Sequence, residues 1–311
     1  MVKSMQPLIV IGGATATGKS KIAIELARQI NGEIISADSM QVYRHMNIGT
    51  AKPSVKEMCE IKHHMIDVVD PDEEFSVAVY KKMCANCIQS VAGRGKTPIL
   101  VGGTGFYINA VIYNNEFTEE TINSIYRNSL YECAAVNGSG YLHSILAEID
   151  PESAELIHKN NVKRVVRAIE FFKQTGIKMS EHNTKEQNRL PAYDVRFFVA
   201  NMKREALYDK INKRVDQMIE AGLLEEVRGL LAIGYNENLV SMQGIGYKEL
   251  ATHLNHGVPL ETAVDKLKQN TRHYAKRQLT WFRNQVGDAC WVDTENDICC
   301  MLENMLLKMN T

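Results

Sequence analysis

Eight residues near the N-terminus have the types and the spacing of a phosphate-binding loop. The pattern G-x-x-x-x-G-K-S is formed by Gly13, Ala14, Thr15, Ala16, Thr17, Gly18, Lys19 and Ser20. In such a loop, glycines let successive backbone N–H groups point at a phosphate, the lysine reaches the terminal phosphate, and the hydroxyl suits a magnesium ion (Mg2+). An apolar run at 8–11 precedes the loop and an amphipathic run at 22–27 follows it. This strand–loop–helix context predicts a site for a diphosphate or a triphosphate.

Two further polar clusters follow segments with the short apolar pattern of strands. Asp38-Ser39-Met40-Gln41 follows segment 32–36, and Gly102-Gly103-Thr104-Gly105 follows segment 97–101. Another strand is predicted at 63–68 and a helix at 75–92. Strands that alternate with helices indicate a parallel sheet, in which ligands gather at the carboxyl ends of the strands. We therefore expect the two clusters and the phosphate loop to meet at one edge of this sheet.

The end of segment 97–101 bears on the choice between chemistries. Enzymes that turn over nucleoside triphosphates on a phosphate loop usually end a core strand in an aspartate that helps to hold magnesium. Here the strand ends in glycines and Thr104, which suit contact with a passive anion such as a diphosphate leaving group. Asp38 is the nearest carboxylate to the loop in this layout. It is a candidate general base, although an aspartate at a strand end also commonly caps a helix or forms a turn.

The remaining chain predicts a helical insertion within a doubly wound α/β core. Strand patterns cease between 113 and 190, where helical spacing occurs at 122–136, 140–149, 153–159 and 162–175, and a strand resumes at 195–199. We therefore predict a P-loop core formed by 1–113 and 191–311, with an inserted domain at 114–190. In the second half of the core, helices are predicted at 205–220, 223–233, 247–256 and 260–286, before an edge strand at 290–292 and a closing helix.

Composition limits the partners and the environment. The 311 residues include 36 basic and 37 acidic ones, so a polyanionic partner must meet a local basic patch. Two segments, 159–173 and 271–283, are rich in lysine and arginine; solvated helix faces are the alternative interpretation. No apolar run approaches the roughly 20 residues that span a bilayer, and the N-terminus leads directly into the first strand. These observations predict a cytosolic protein without a membrane segment, whose seven scattered cysteines are reduced.

Motifs along nearly the whole chain resemble those of tRNA dimethylallyltransferases, also called tRNA isopentenyltransferases, of the bacterial type. This sequence departs from the family's pattern in two small ways: Ala14 stands where the family usually has proline, and Phe106 replaces a common leucine. The matching motifs, in the order of the family, are ISADSMQVYR at 35–44, NIGTAKP at 47–53, HHMID at 63–67, FSVA at 75–78, VGGTGFYI at 101–108, RVVRAIE at 164–170, GIGYKE at 244–249 and TRHYAKRQLTWFR at 271–283.

This resemblance implies a reaction and a set of roles. The family transfers a dimethylallyl group from its diphosphate to N6 of adenosine 37, beside the tRNA anticodon, and releases diphosphate. Asp38 matches the base that takes the N6 proton, while Lys19, Thr104 and Arg214 match the groups that stabilise the leaving diphosphate, with Mg2+ at Ser20. The flipped adenine would meet the Asp38 stretch, where the amide of Gln41 is a candidate reader of its edge.

The resemblance also implies contacts with the anticodon stem-loop of tRNA, made by a chain that we expect to act as a monomer. The implied tRNA-contacting residues are Asp38, Ser39, Met40, Gln41, Thr104, Arg127, Lys163, Arg164, Val165, Val166, Arg167, Gly244, Ile245, Gly246, Tyr247, Lys248, Glu249, Arg277 and Arg283.

Two other classes of function stay open on the residues alone. The first is a small-molecule kinase on the same core, which the missing strand-end acid disfavours. The second is a non-catalytic RNA-binding protein with a vestigial phosphate loop. It is disfavoured because Lys19, Ser20, Asp38, Thr104 and Arg214 are all intact.

Overall fold

Six parallel strands form one sheet in the order β3-β2-β4-β1-β5-β6. A computed structural model describes residues 5–115, 124–187 and 189–309 of the chain. The strands in chain order are β1 Pro7–Gly13, β2 Gly32–Ser36, β3 His63–His64, β4 Thr97–Gly102, β5 Asp194–Asn201 and β6 Cys290–Asp293.

Fourteen helices accompany these strands in the described residues. In chain order they are α1 Lys19–Gln29, α2 Val55–Glu60, α3 Val77–Gly93, α4 Gly105–Ile112, α5 Ser124–Asn137, α6 Ser139–Ile149, α7 Pro151–Leu156, α8 Val162–Thr175, α9 Met179–Gln187, α10 Arg204–Glu220, α11 Leu223–Ala232, α12 Tyr247–His256, α13 Leu260–Gln285 and α14 Ile298–Met309.

Both faces of the sheet are buried, as its continuous apolar strands require. On β1, Leu8 and Val10 pack into one core with residues of α3 and α4, while Ile9 and Ile11 pack into another with residues of α1 and α14. The alternation follows from the period of two residues in a strand. The fold is the doubly wound α/β class that the sequence predicts.

The chain divides into two compact units. The core unit contains Met1–Asn114 and Pro191–Thr311, and the inserted unit contains Asn115–Leu190. The inserted unit has its own helical core, in which the apolar face of α8 buries Val165, Val166 and Ile169.

Several predicted elements differ from the structure. The strand predicted at 63–68 stops at His64, because Met65 and Asp67 have φ values of 62° and 54°, outside the extended conformation. The helix predicted at 153–159 instead begins at Pro151 and ends at Leu156. Sequence patterns did not predict α2, α4 or α9. Residues 122 and 123 of the helix predicted at 122–136 lie outside the described residues. In the part that is described, α5 runs from Ser124 to Asn137.

Composition predicts a chain without a membrane segment and with reduced cysteines. Across the described stretches of the chain, no helix is both long enough and apolar enough for a bilayer crossing. The structure forms no disulfide among the seven cysteines, all of which lie in the described residues.

Candidate active site

The sheet order positions three polar loops side by side. β4 lies between β1 and β2, and all three strands are parallel, so their carboxyl ends share one edge of the sheet. The phosphate loop follows β1, the Asp38 loop follows β2, and the Gly-Gly-Thr-Gly loop follows β4. The topology thus brings together the three clusters that the sequence predicts at strand ends.

The phosphate loop folds around the carbonyl oxygen of Ala14. Thr17 Oγ1 donates a hydrogen bond to this oxygen at 2.8 Å, and Lys19 Nζ donates to it at 3.2 Å. Ala14 itself is buried and packs with Ala275 of α13. The alanine that replaces the family's usual proline is therefore accommodated by close packing. Since α1 begins at Lys19, the loop presents the N-terminus of a helix, which favours anions.

Two cations and a carboxylate of the site influence one another. Burial lowers the pKa of Lys19 to about 8; the charge of Asp38 opposes this shift and the charge of Arg214 adds to it. Burial also lowers the pKa of Arg214, again against the effect of Asp38. Arg214 lies on α10, far from the phosphate loop in sequence. The tertiary structure thus brings Lys19, Asp38 and Arg214, three of the four residues predicted to be catalytic, to the border of one pocket.

Asp38 forms a turn and still presents a carboxylate oxygen to the site. Its Oδ1 atom accepts hydrogen bonds from the backbone N–H groups of Met40 at 2.9 Å and Gln41 at 3.4 Å. Within the described part of the chain, no donor bonds to Oδ2. The turn interpretation and the base interpretation are therefore compatible, because one oxygen serves each role. Thr104 Oγ1 accepts a hydrogen bond from Ser39 N at 3.1 Å, which ties the β4 loop to the Asp38 loop.

Gln278 on α13 connects two of the loops, and the sequence motifs did not single it out as a site residue. Its Oε1 atom accepts a hydrogen bond from Thr15 N at 2.9 Å, and its Nε2 atom donates to Gly103 O at 2.9 Å. The side chain is buried, with 6% of its surface exposed. The only sequence signal was its place in the matched motif at 271–283, which also carries Tyr274 and Arg277.

A small polar pocket and a larger apolar cavity meet at this edge. The pocket has a volume of about 60 Å³ and is bordered by Lys19, Ser20 and His63. The cavity has a volume of about 310 Å³, and its apolar wall is formed by Ile211, Val215, Met218, Leu223 and Leu267. The two share Thr15, Asp38, Thr50 and Arg214. A charged group in the pocket and a short hydrocarbon in the cavity would therefore lie next to each other.

The predicted tRNA-contacting residues of the core unit differ in their surroundings. The cavity is lined by Ser39, Met40, Gly244, Ile245, Gly246 and Arg277, whereas Lys248 and Arg283 are exposed outside it. Tyr247 is buried, and Glu249 accepts a hydrogen bond from Gly246 N at 2.8 Å at the start of α12. The Gln41 amide is already engaged, because it accepts from Ser36 Oγ at 2.9 Å and donates to two backbone carbonyls.

In the inserted unit, α8 has one basic face and one buried face. Lys163, Arg164 and Arg167 are exposed, but the side chains of Val165 and Val166 are buried in the helical core. Because they are buried, these two valines hold the basic face in place by packing from beneath it. Arg127 is paired with the buried carboxylate of Glu170 at 2.6 Å.

Comparisons with known proteins agree with this geometry. The family model described as IPP transferase matches residues 41–285. The tRNA dimethylallyltransferase of Lachnoclostridium phytofermentans is 50% identical over 292 residues, which cover 94% of this chain and 93% of the relative. That of Bacillus mycoides is 51% identical over 288 residues, which cover 93% of this chain and 90% of the relative.

Solved structures extend the similarity to the fold. The crystal structure of tRNA delta(2)-isopentenylpyrophosphate transferase from Staphylococcus epidermidis has a TM-score of 0.72 at 44% identity, and the match covers 98% of this chain and 99% of that one. A eukaryotic dimethylallyltransferase acting on tRNA has a TM-score of 0.79 at 33% identity, with coverage of 93% and 74%. The phosphate loop lies beside an apolar cavity, and the chain resembles these proteins in sequence and fold over nearly its whole length. The chain therefore belongs to the IPP transferase family.

Proposed function

We propose that this chain transfers a dimethylallyl group from dimethylallyl diphosphate to N6 of adenosine 37, next to the anticodon of tRNA, and releases diphosphate. The observation that carries this proposal is the shared border of the two cavities. Asp38 and Arg214 line both the phosphate-loop pocket and the apolar cavity. If the diphosphate occupies the pocket, its five-carbon chain would lie beside Met218 and Leu223. The carboxylate of Asp38 would then lie beside the reacting centre.

The nucleophile determines what Asp38 must do. The exocyclic amine of adenine is weakly nucleophilic because its lone pair is delocalised into the ring. As the N6–C bond forms and the allylic C–O bond breaks, the nitrogen loses a proton and the diphosphate leaves with the bonding electron pair. Asp38 Oδ2 is the acceptor that we assign to this proton, since Oδ1 is held by the backbone.

Stabilisation of the leaving group falls to fixed donors. Negative charge grows on the diphosphate as the C–O bond breaks, so donors already in place lower the energy of the transition state more than that of the ground state. Lys19, Arg214 and the N–H groups of the phosphate loop fill this role in our proposal. Thr104 assists these donors indirectly. Its hydroxyl oxygen accepts a hydrogen bond from Ser39 N and so holds the Asp38 loop in place.

Mg2+ fits the residues of the pocket as a partner of the diphosphate. The described residues contain no cluster of three or more His, Cys, Asp or Glu side chains that would hold a metal ion by themselves. Mg2+ usually binds through one or two protein oxygens together with phosphate oxygens and water. The Ser20 hydroxyl lies on the pocket and supplies one such oxygen. When bound, the ion would neutralise charge on the leaving diphosphate.

Exposed basic residues support the choice of tRNA as acceptor. Lys163, Arg164 and Arg167 on α8, and Arg277 and Arg283 on α13, are exposed cations in a nearly neutral chain. They are suited to phosphates of the anticodon stem-loop. Because tRNA is the proposed acceptor, we expect the reaction to take place in the cytoplasm. Since the chain supplies every group of the proposed site, we expect a monomer to suffice.

Label transfer tests this function. Incubation with labelled dimethylallyl diphosphate and tRNA should place the label in RNA, whereas ATP-dependent phosphorylation of a small molecule would indicate a kinase. Retention of RNA without either product would indicate a binding protein.

Asp38→Asn tests the base. It should lower kcat roughly 10²- to 10⁴-fold, because the amide cannot accept the proton. Binding of tRNA should persist. Asp72→Asn, a change at an exposed aspartate, is the matched control and should retain activity. A turnover of Asp38→Asn close to that of the unaltered chain would remove Asp38 as the base.

A further inference from the structure

The segment Asn47–Gly49 presents three successive backbone N–H groups to one carboxylate. Glu226 Oε2 accepts from Asn47 N at 2.9 Å and from Ile48 N at 2.8 Å, and its Oε1 accepts from Gly49 N at 3.2 Å. Successive N–H groups that converge in this way form an anion-binding concavity, or nest. Here a side chain of α11 occupies the nest, although it is 177 to 179 positions away in sequence.

A second side chain, that of Tyr247, contacts both Glu226 and the segment. Tyr247 OH donates to Glu226 Oε1 at 2.6 Å, and the tyrosine is buried. Its ring lies so close to Gly49 that a Cβ atom there would be 2.6 Å from it. Burial, and next the charge of Glu226, raise the pKa of Tyr247, so its hydroxyl stays protonated as a donor.

The segment held in this way is a wall of the proposed site. Gly49 and Thr50 line the apolar cavity, and Thr50 also borders the phosphate-loop pocket. Gln41 Nε2 donates to the carbonyl oxygen of Thr50 at 3.3 Å. The backbone of this wall is therefore held by hydrogen bonds to both Gln41 and Glu226.

We infer that Glu226 is a positioning residue for the transfer reaction. It holds the wall formed by Asn47–Thr50 against the prenyl diphosphate. It lines neither cavity and acts through the backbone that it binds. This inference rests on the proposed function for its kinetic consequence. The contact between Glu226 and the nest does not depend on that function.

Glu226→Ala tests the inference through kcat/KM for dimethylallyl diphosphate. Displacement of the wall should lower this ratio roughly tenfold to a hundredfold, since errors of about 1 Å in substrate position have effects of that size. Formate should restore part of the loss, because a small carboxylate can enter the vacated nest. Glu225→Ala is the matched control: this neighbour is exposed and pairs with Arg228 on the same helix, so its loss should leave kcat/KM unchanged.

Amide hydrogen exchange at Asn47, Ile48 and Gly49 tests the contact without the reaction. Exchange should accelerate in Glu226→Ala and slow again with formate. Glu226→Gln, which keeps the length of the side chain but turns an N–H group toward the nest, should also accelerate exchange if the alanine variant does not fold. If the unaltered chain transfers no label, the proposed function fails, while exchange still tests the contact. Accelerated exchange with unchanged kcat/KM, or a loss of kcat/KM that formate does not relieve, would overturn the positioning role.

Discussion

The link made by Gln278 allows a quantitative prediction. Gln278→Leu removes the hydrogen bonds to Thr15 N and Gly103 O while nearly preserving side-chain volume. A buried polar group left without a partner costs about 1–3 kcal/mol. Thr15 borders the cavity, where water can replace part of its lost bond. We therefore expect the free energy of unfolding to fall by about 2–4 kcal/mol in total.

The activity should fall as well, because Gln278 ties both the phosphate loop and the β4 loop to α13. Loss of this link should lower kcat/KM for dimethylallyl diphosphate roughly tenfold or more through misplacement of the diphosphate. Gln278→Glu separates the two bonds: it keeps an acceptor for Thr15 N but places an oxygen against the carbonyl of Gly103. Its stability should therefore also fall.

Urea unfolding followed by tryptophan fluorescence measures the stability term. Trp281 and Trp291 are the two tryptophans of the chain, and both belong to the core unit, so their signal reports on the unit that contains Gln278. Gln285→Leu, at an exposed position near the end of the same helix, is the matched control. A change below about 0.5 kcal/mol for Gln278→Leu, as for an ordinary surface substitution, would refute the assigned link.

Two further predictions concern charge and close packing in the same loops. Because burial lowers the pKa of Lys19 to about 8, its ammonium loses the proton as pH rises past this value, and kcat/KM for dimethylallyl diphosphate should then fall about tenfold per pH unit. Lys19→Arg, which stays protonated, should not show that decline; a flat profile of the unaltered enzyme up to pH of about 10 would contradict the assignment. Gly102→Ala would place a Cβ atom 2.0 Å from the carbonyl oxygen of Ala37 and should lower the free energy of unfolding by about 1–3 kcal/mol. Gly93→Ala, where a Cβ atom meets nothing within 4 Å, should have little effect; similar melting temperatures for the two variants would contradict the close approach.

The sequence alone predicted the parts of the site that are local in the chain. Leu8 to Ile11 is a continuous apolar run, and a strand buried on both faces requires such a run, so the parallel sheet and the phosphate loop after β1 followed together. Asp38 and Thr104 follow neighbouring strands, and the carboxyl ends of parallel strands meet at one edge. Lys19 and Asp38 could thus be paired before any coordinate was known, because backbone direction alone brings their loops together.

Local patterns were less reliable where the backbone turns. The run 63–68 has the composition of a strand, but positive φ values at Met65 and Asp67 end β3 after His64. The N–H groups of Asp67 and Val68 then bond to Gln41 O and Val42 O at 3.1 and 2.8 Å. These residues therefore support the Asp38 loop instead of extending the sheet, since hydrogen bonds to a distant segment overrode the local strand preference.

Tertiary packing decided which groups surround Arg214, Gln278 and Glu226. Each lies on an amphipathic helix, where a polar residue at helical spacing is typical of a solvated face, and the motif match alone gave Arg214 a role. The partners of Gln278 and Glu226 are 263 and up to 179 positions away. Helical periodicity determines which face of a helix is polar, whereas the packing of α10, α11 and α13 determines what that face meets. The sequence by itself therefore established the phosphate loop and the strand-end residues, and only the folded chain determined which distant side chains hold them in place.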